Sequence, residues 1–118
     1  MDSYDVFVYF YYALDYVYDM KGSEKLGDYL SGANPFLFEG NGSADPAVYD
    51  EFEKAFKKEF KTDRIDKTAA YNWLKKYTVE MKNDAVKEAF ETITLKIESE
   101  NDREKHYNRI YLRFLPDG

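Results

Sequence analysis

The chain has 118 residues, of which 44% are hydrophobic and 34% charged, with 17 Lys and Arg against 23 Asp and Glu and a formal net charge of −6. That length suits one domain with one core, and the negative balance argues against non-specific binding to nucleic acid or an anionic membrane while suiting a basic partner. Cysteine is absent, which excludes a disulfide framework and thiolate chemistry, and twelve Tyr with nine Phe point to a core built from aromatic rings.

Ser3 to Met20 (SYDVFVYFYYALDYVYDM) is the stretch the rest is organised around. At about 100° per residue, Val6, Phe7, Phe10, Tyr11, Leu14, Val17 and Tyr18 share one broad face, and Asp15 and Asp19 lie opposite, flanked by Val8 and Tyr12. A helix apolar over most of its circumference is buried on more than one side, so this is expected to be the central helix. Asp2 and Ser3 can cap it, and Gly22 suits a left-handed C-cap. Its longest apolar run, Val6 to Leu14, falls short of the roughly 20 residues needed to span a bilayer. The acidic start Met1-Asp2 is the wrong sign for a secretory leader, so the expected setting is the cytoplasm.

Ser23 caps a short second helix from Glu24 to Leu30, with Leu26, Tyr29 and Leu30 inward and Gly32 ending it. Residues 32–45 form an irregular segment in which Asn34-Pro35 breaks any helix. Phe36, Leu37 and Phe38 are too apolar for a free loop and are expected to plug the core or form an exposed patch. Asp45-Pro46 then starts the third helix, Pro46 to about Lys61, on a stripe of Val48, Tyr49, Phe52, Ala55, Phe56 and Phe60. The fourth runs from Asp63 or Asp66 to Lys82 and buries Ile65, Ala69, Ala70, Trp73, Leu74, Tyr77 and Met81. Asn83-Asp84 caps a fifth, with Val86, Ala89, Phe90, Ile93 and Ile97 inward. Its end competes with a strand reading, because Ile93, Leu95 and Ile97 alternate, as do Ile110, Leu112 and Phe114. The expected fold is a single all-α domain over residues 1–118, of five to six helices around the N-terminal one. The alternative is α+β with a C-terminal β-hairpin over residues 92–114.

Few constellations suggest chemistry. His106 stands alone in a charged run and reads as a solvated side chain. Glu39, Asn41, Ser43, Asp45 and Asp50 imitate the spacing of a Ca²⁺ loop, but Ala44 occupies the position that needs Gly, and a capped helix explains them better. Asp15 and Asp19, one turn apart, could share a proton or a divalent cation; the simpler reading is the solvent edge of the first helix. Lys54, Lys57, Lys58, Lys61, Arg64 and Lys67 are interleaved with acidic residues, as are Arg103, Lys105, Arg109 and Arg113, and both sets read as ion-paired surface. Neither a nucleotide-binding glycine motif nor a nucleophile or zinc motif is present. No catalytic residue, metal ligand or cofactor is therefore expected.

The excess of tyrosine is the informative feature. Tyr4, Tyr9, Tyr11, Tyr12, Tyr16 and Tyr18 surround the first helix, more than a small core easily hides, and Tyr is enriched where proteins meet. Tyr12, Asp15, Tyr16 and Asp19 are the expected partner-binding residues, against the alternative that these hydroxyls only reach the surface of a thick core.

The run Leu26-Gly27-Asp28-Tyr29-Leu30-Ser31-Gly32-Ala33-Asn34-Pro35-Phe36, followed by Ser43-Ala44-Asp45-Pro46-Ala47-Val48-Tyr49, resembles a pattern in small acidic bacterial proteins, some of the toxin-immunity type. The resemblance spans about the first half of the chain and brings no catalytic residues. It implies a small bacterial cytoplasmic protein that binds another protein. The expected function is thus a non-enzymatic inhibitor or immunity protein that masks a more basic protein. The alternatives are a structural homo-oligomer, such as a homodimer paired through its Tyr face, and a small enzyme or metal-binding protein using Asp15 and Asp19 or residues 39–50.

Overall fold

Asp2 and Asp5 cap each other's backbone at the start of the first helix: the Asp5 N–H donates to Asp2 Oδ1 at 2.8 Å and the Asp2 N–H to Asp5 Oδ2 at 3.2 Å. This reciprocal box satisfies two amides at the helix end. It leaves Ser3 for another use, since Ser3 is buried. In this computed structural model, residues 1–21, 23–37, 42–62 and 64–99 are described (for 20, 21, 37 and 94–99, the backbone only).

The described residues form α1 (Ser3–Lys21), α2 (Glu24–Ala33), a single 3-10 turn (Pro35–Leu37), α3 (Pro46–Glu59), α4 (Lys67–Glu80) and α5 (Asp84–Ser99), with no strand among them. Each of the later helices starts on a side-chain cap. Ser23 accepts from the Leu26 N–H, Asp45 from Ala47, Asp66 from Ala69 and Asn83 from Val86. These caps satisfy amide groups that a first helical turn leaves open.

The fold is all-α, as the spacing of apolar residues predicts. Residues 92–99 continue α5, so the first strand of the alternative hairpin does not form. Asn83 and the run Ala85 to Glu91 commit the segment to a helix, and Thr92 Oγ1 donates to the Glu88 carbonyl one turn back, at 3.0 Å. Residues 100–114, with His106 and the second basic group, lie outside the described residues, as do Gly22, Phe38, Glu39, Asn41 and Asp63.

Helix α1 is the centre. It packs against α2, α3 and α5, and Val6, Phe7, Val8, Tyr9, Phe10, Ala13, Leu14 and Val17 are all at most 2% exposed. Two expectations for this helix need correction. Val8, placed beside the aspartates on a helical wheel, is buried, whereas Tyr18, placed on the apolar face, is 37% exposed. Tyr18 instead lies over α2, close enough to Gly27 that a Cβ there would meet the ring at 2.9 Å. Helix α2 also runs further than expected, through Gly32 to Ala33, and stops at Asn34, where the following proline disfavours helical backbone.

Phe10 and Phe52 join the layers. Phe10 packs on Phe52, Tyr77 and Phe90, and Phe52 on Phe7, Trp73 and Tyr77, with ring centroids 5.0–6.0 Å apart. Four of these six pairs meet edge-to-face, an arrangement that adds stabilisation beyond the area buried. On α4, Tyr71 and Thr78 are buried in addition to the expected stripe, because this helix meets both the aromatic cluster and α5.

Candidate functional site

The row Tyr12, Asp15, Tyr16, Asp19 follows the i, i+3, i+4, i+7 spacing that places side chains on one side of a helix. The structure gives its members unequal exposure. Asp19 is exposed, Asp15 and Tyr16 are half-buried, and Tyr12 is buried at 8% exposure. Phe36 of the 3-10 turn packs against Tyr12. The Tyr12 ring lies 5.5 Å from Phe36 and 5.6 Å from Tyr11, and Tyr11 meets Phe36 edge-on at 6.3 Å.

The turn is held there by the neck of the connection between α2 and α3. The Ala44 N–H donates to the Asn34 carbonyl at 2.9 Å and the Asp45 N–H to the Gly32 carbonyl at 2.8 Å, so the connection closes on itself at its base. Asn34 Oδ1 accepts from the Phe36 N–H at 2.9 Å, an Asx turn that sets the direction of the 3-10 segment. Ser43, fully buried, accepts from the Tyr49 N–H and donates to the Asp45 carbonyl, while Asp45 caps α3. Two of the oxygens with Ca²⁺-loop spacing are therefore engaged with backbone.

Phe36 is the residue this neck delivers. It is 57% exposed, although it rests on two tyrosines. Together, Phe36, Tyr11 and Tyr12 form an aromatic shelf that continues along α1 into Asp15, Tyr16 and Asp19. Burial first, and then the Asp15 carboxylate, raise the Tyr11 phenol above its usual range. Burial, the Tyr11 hydroxyl and Asp15, in that order, push Tyr12 up to about 12. Both are neutral near pH 7, able to donate or accept a hydrogen bond, beside an acidic group.

No group of three or more His, Asp or Glu is arranged to hold a metal ion among the described residues. No described helix is long and apolar enough to cross a membrane. In the first basic group Lys54, Lys57, Lys58, Lys61 and Arg64 are exposed, and Lys57 lies 3.6 Å from Glu53 one turn earlier. Compared with known proteins, the chain matches no family, no curated protein and no solved structure.

Proposed function

We propose that this chain is a non-enzymatic protein-binding protein of the bacterial cytoplasm that masks a basic partner, as an inhibitor or immunity protein does. The observation that carries the reading is Phe36: a large aromatic, 57% exposed, fixed in place on Tyr11 and Tyr12 by the hydrogen-bonded neck and adjoining Asp15. A half-exposed aromatic held by ring contacts and a hydrogen-bonded neck is the kind of anchor that carries binding energy at interfaces. Asp15, Asp19 and the net charge of −6 supply an attraction that speeds association with a basic surface. Within this site Phe36, Tyr16 and Asp19 make the contact, and Tyr12 is the support beneath them.

A self-paired face is less favoured. A two-fold axis through this surface would bring Asp15 and Asp19 of both copies into one interface, where like charges oppose one another.

The test is affinity capture from lysate of the source organism with the wild-type protein and two variants, Phe36→Ser and Asp19→Lys, each first checked for an unchanged melting curve. A single basic protein held at near-equal amount by the wild type and lost by both variants supports the reading. If no captured protein distinguishes the wild type from the variants, the α1 surface is not the docking site. Sedimentation at rising concentration tests the homo-oligomer, which requires a mass that grows.

A further inference from the structure

A second surface feature lies away from α1. A cleft of about 290 Å³ opens where α2, α3 and α4 meet, lined by Tyr29, Val48, Glu51, Tyr77, Glu80 and Met81, with Ala55 at its base. Its composition is one-sided: two carboxylates, two phenols, three aliphatic residues and no cation. Other glutamates of α3 have basic partners, Glu53 with Lys57 at 3.6 Å and Glu59 with Lys76 at 3.4 Å. Among the described residues Glu51 and Glu80 have none.

Three further observations point the same way. Glu80 is the last residue of α4, where exposed carbonyls already make the helix end negative, so its carboxylate stands at the unfavourable end of the dipole. The Tyr29 and Tyr77 side chains line the cleft, neither hydroxyl is sealed from water, and neither makes a hydrogen bond among the described residues, so both oxygens are available to a ligand. Burial keeps both phenols neutral: Tyr77 is pushed up to about 12 by burial and then by Glu51, and Tyr29 is raised further by burial, Tyr77 and Glu51. A neutral phenol oxygen accepts a hydrogen bond, and the face of its ring attracts a cation.

To a divalent metal ion the cleft offers only Glu51 and Glu80, with no third carboxylate or imidazole joining them among the described residues and neutral phenols as poor further ligands. An ammonium group fits better. Its three N–H donors match one carboxylate and the two phenol oxygens, and a short alkyl stem would lie on Val48, Ala55 and Met81. We propose that the cleft between α2, α3 and α4 is a binding site for a primary alkylammonium group, held by Glu51, Tyr29 and Tyr77 with Glu80 adding negative potential. None of the lining residues belongs to α1, so this inference is independent of the partner surface proposed above.

The experiment is calorimetric titration of the full chain with n-pentylamine and, separately, with Nα-acetyl-lysine N-methylamide. Pentanol and ammonium chloride at matched ionic strength serve as the uncharged and stemless controls. Saturable binding of pentylamine, absent with both controls and weakened about ten- to one-hundredfold by Glu51→Gln and by Tyr29→Phe, is expected from the loss of one charge-assisted hydrogen bond. Binding of the lysine derivative alone, lost in the same variants, supports the same site with a protein lysine as the source of the amine. Glu51 is exposed, so its charge-neutral variant preserves the fold and decides the matter even if Tyr29→Phe is damaged. No saturable binding of either amine, or equal binding by wild type and Glu51→Gln, overturns the proposal.

Discussion

Ser3 Oγ and the Tyr49 hydroxyl lie 3.0 Å apart, a buried hydrogen bond that ties the first turn of α1 to α3 across 46 positions of sequence. Tyr49 in turn donates to Glu53 Oε2 at 3.0 Å, so the natural direction runs from Ser3 to Tyr49 to Glu53. Tyr49→Phe keeps the ring and its contacts with Tyr4 and Phe7 but leaves the Ser3 hydroxyl with only a long 3.5 Å approach to Glu53. A loss of about 1–2 kcal/mol in urea unfolding is expected. Ser3→Ala should cost less, since Tyr49 keeps its carboxylate acceptor.

Trp73 is the single tryptophan, 6% exposed and enclosed by Phe52, Phe56, Phe60 and a stacked Tyr77. Its emission should lie well to the blue of an exposed indole and resist acrylamide quenching until the protein unfolds. Trp73→Ala should cost about 3–5 kcal/mol, a large part of a small domain's stability. Red-shifted, easily quenched emission from the folded protein would contradict the packing described.

Two helix ends are not optimal. Gly32 sits inside the last turn of α2, where an added Cβ would meet Asp45 and Val48 only at ordinary contact distances of 3.5 and 3.6 Å. Gly32→Ala should therefore stabilise by about 0.5–1 kcal/mol. Lys82, just after the C-cap of α4, has φ of 57°, a left-handed conformation in which glycine is easier, so Lys82→Gly should raise the melting temperature too. Gly27→Ala should gain less than Gly32→Ala, because its Cβ would push the Tyr18 ring aside.

Alkaline pH should destabilise the fold through its phenols. Tyr12, Tyr49 and Tyr77 are each raised from 10.0 to about 12, with burial the leading cause in every case. Between those values the unfolded chain releases protons that the folded one keeps, so unfolding becomes more favourable as pH rises. Their contribution is complete below pH 10 and is lost as pH climbs towards 12. Denaturation midpoints should fall across that window, and phenolate absorbance should show these groups ionising late or together with unfolding.

Much of the fold is legible in the sequence because its signals are local. Asp45-Pro46 marks the start of α3, Asn83 that of α5, and the 3.6-residue stripe of Val86, Ala89, Phe90 and Ile93 gives the buried face of α5. What is not legible depends on neighbours far along the chain. A helical wheel cannot know that Phe36 will lie on Tyr12 and reduce its exposure, nor that Tyr18 will lean on Gly27 outside the core. Phe36 itself belongs to a segment whose composition allows either a core plug or an exposed patch, and only the neck at Asn34 and Gly32 decides for exposure. The cleft draws Tyr29, Glu51 and Tyr77 from three helices, and no spacing rule relates them.

The central placement of α1 has a consequence for the protein's birth on the ribosome. Helix α1 is made before the helices that cover it: its partners lie on α2, α3 and α5, and Phe90 and Ile93 are made about ninety residues after α1 begins. Until then Phe7, Phe10 and Leu14 have no complete shelter, which is when exposed apolar surface is most prone to wrong association. A nascent chain stalled before residue 84 should therefore be sticky and protease-sensitive, while one released past α5 should close in a single step.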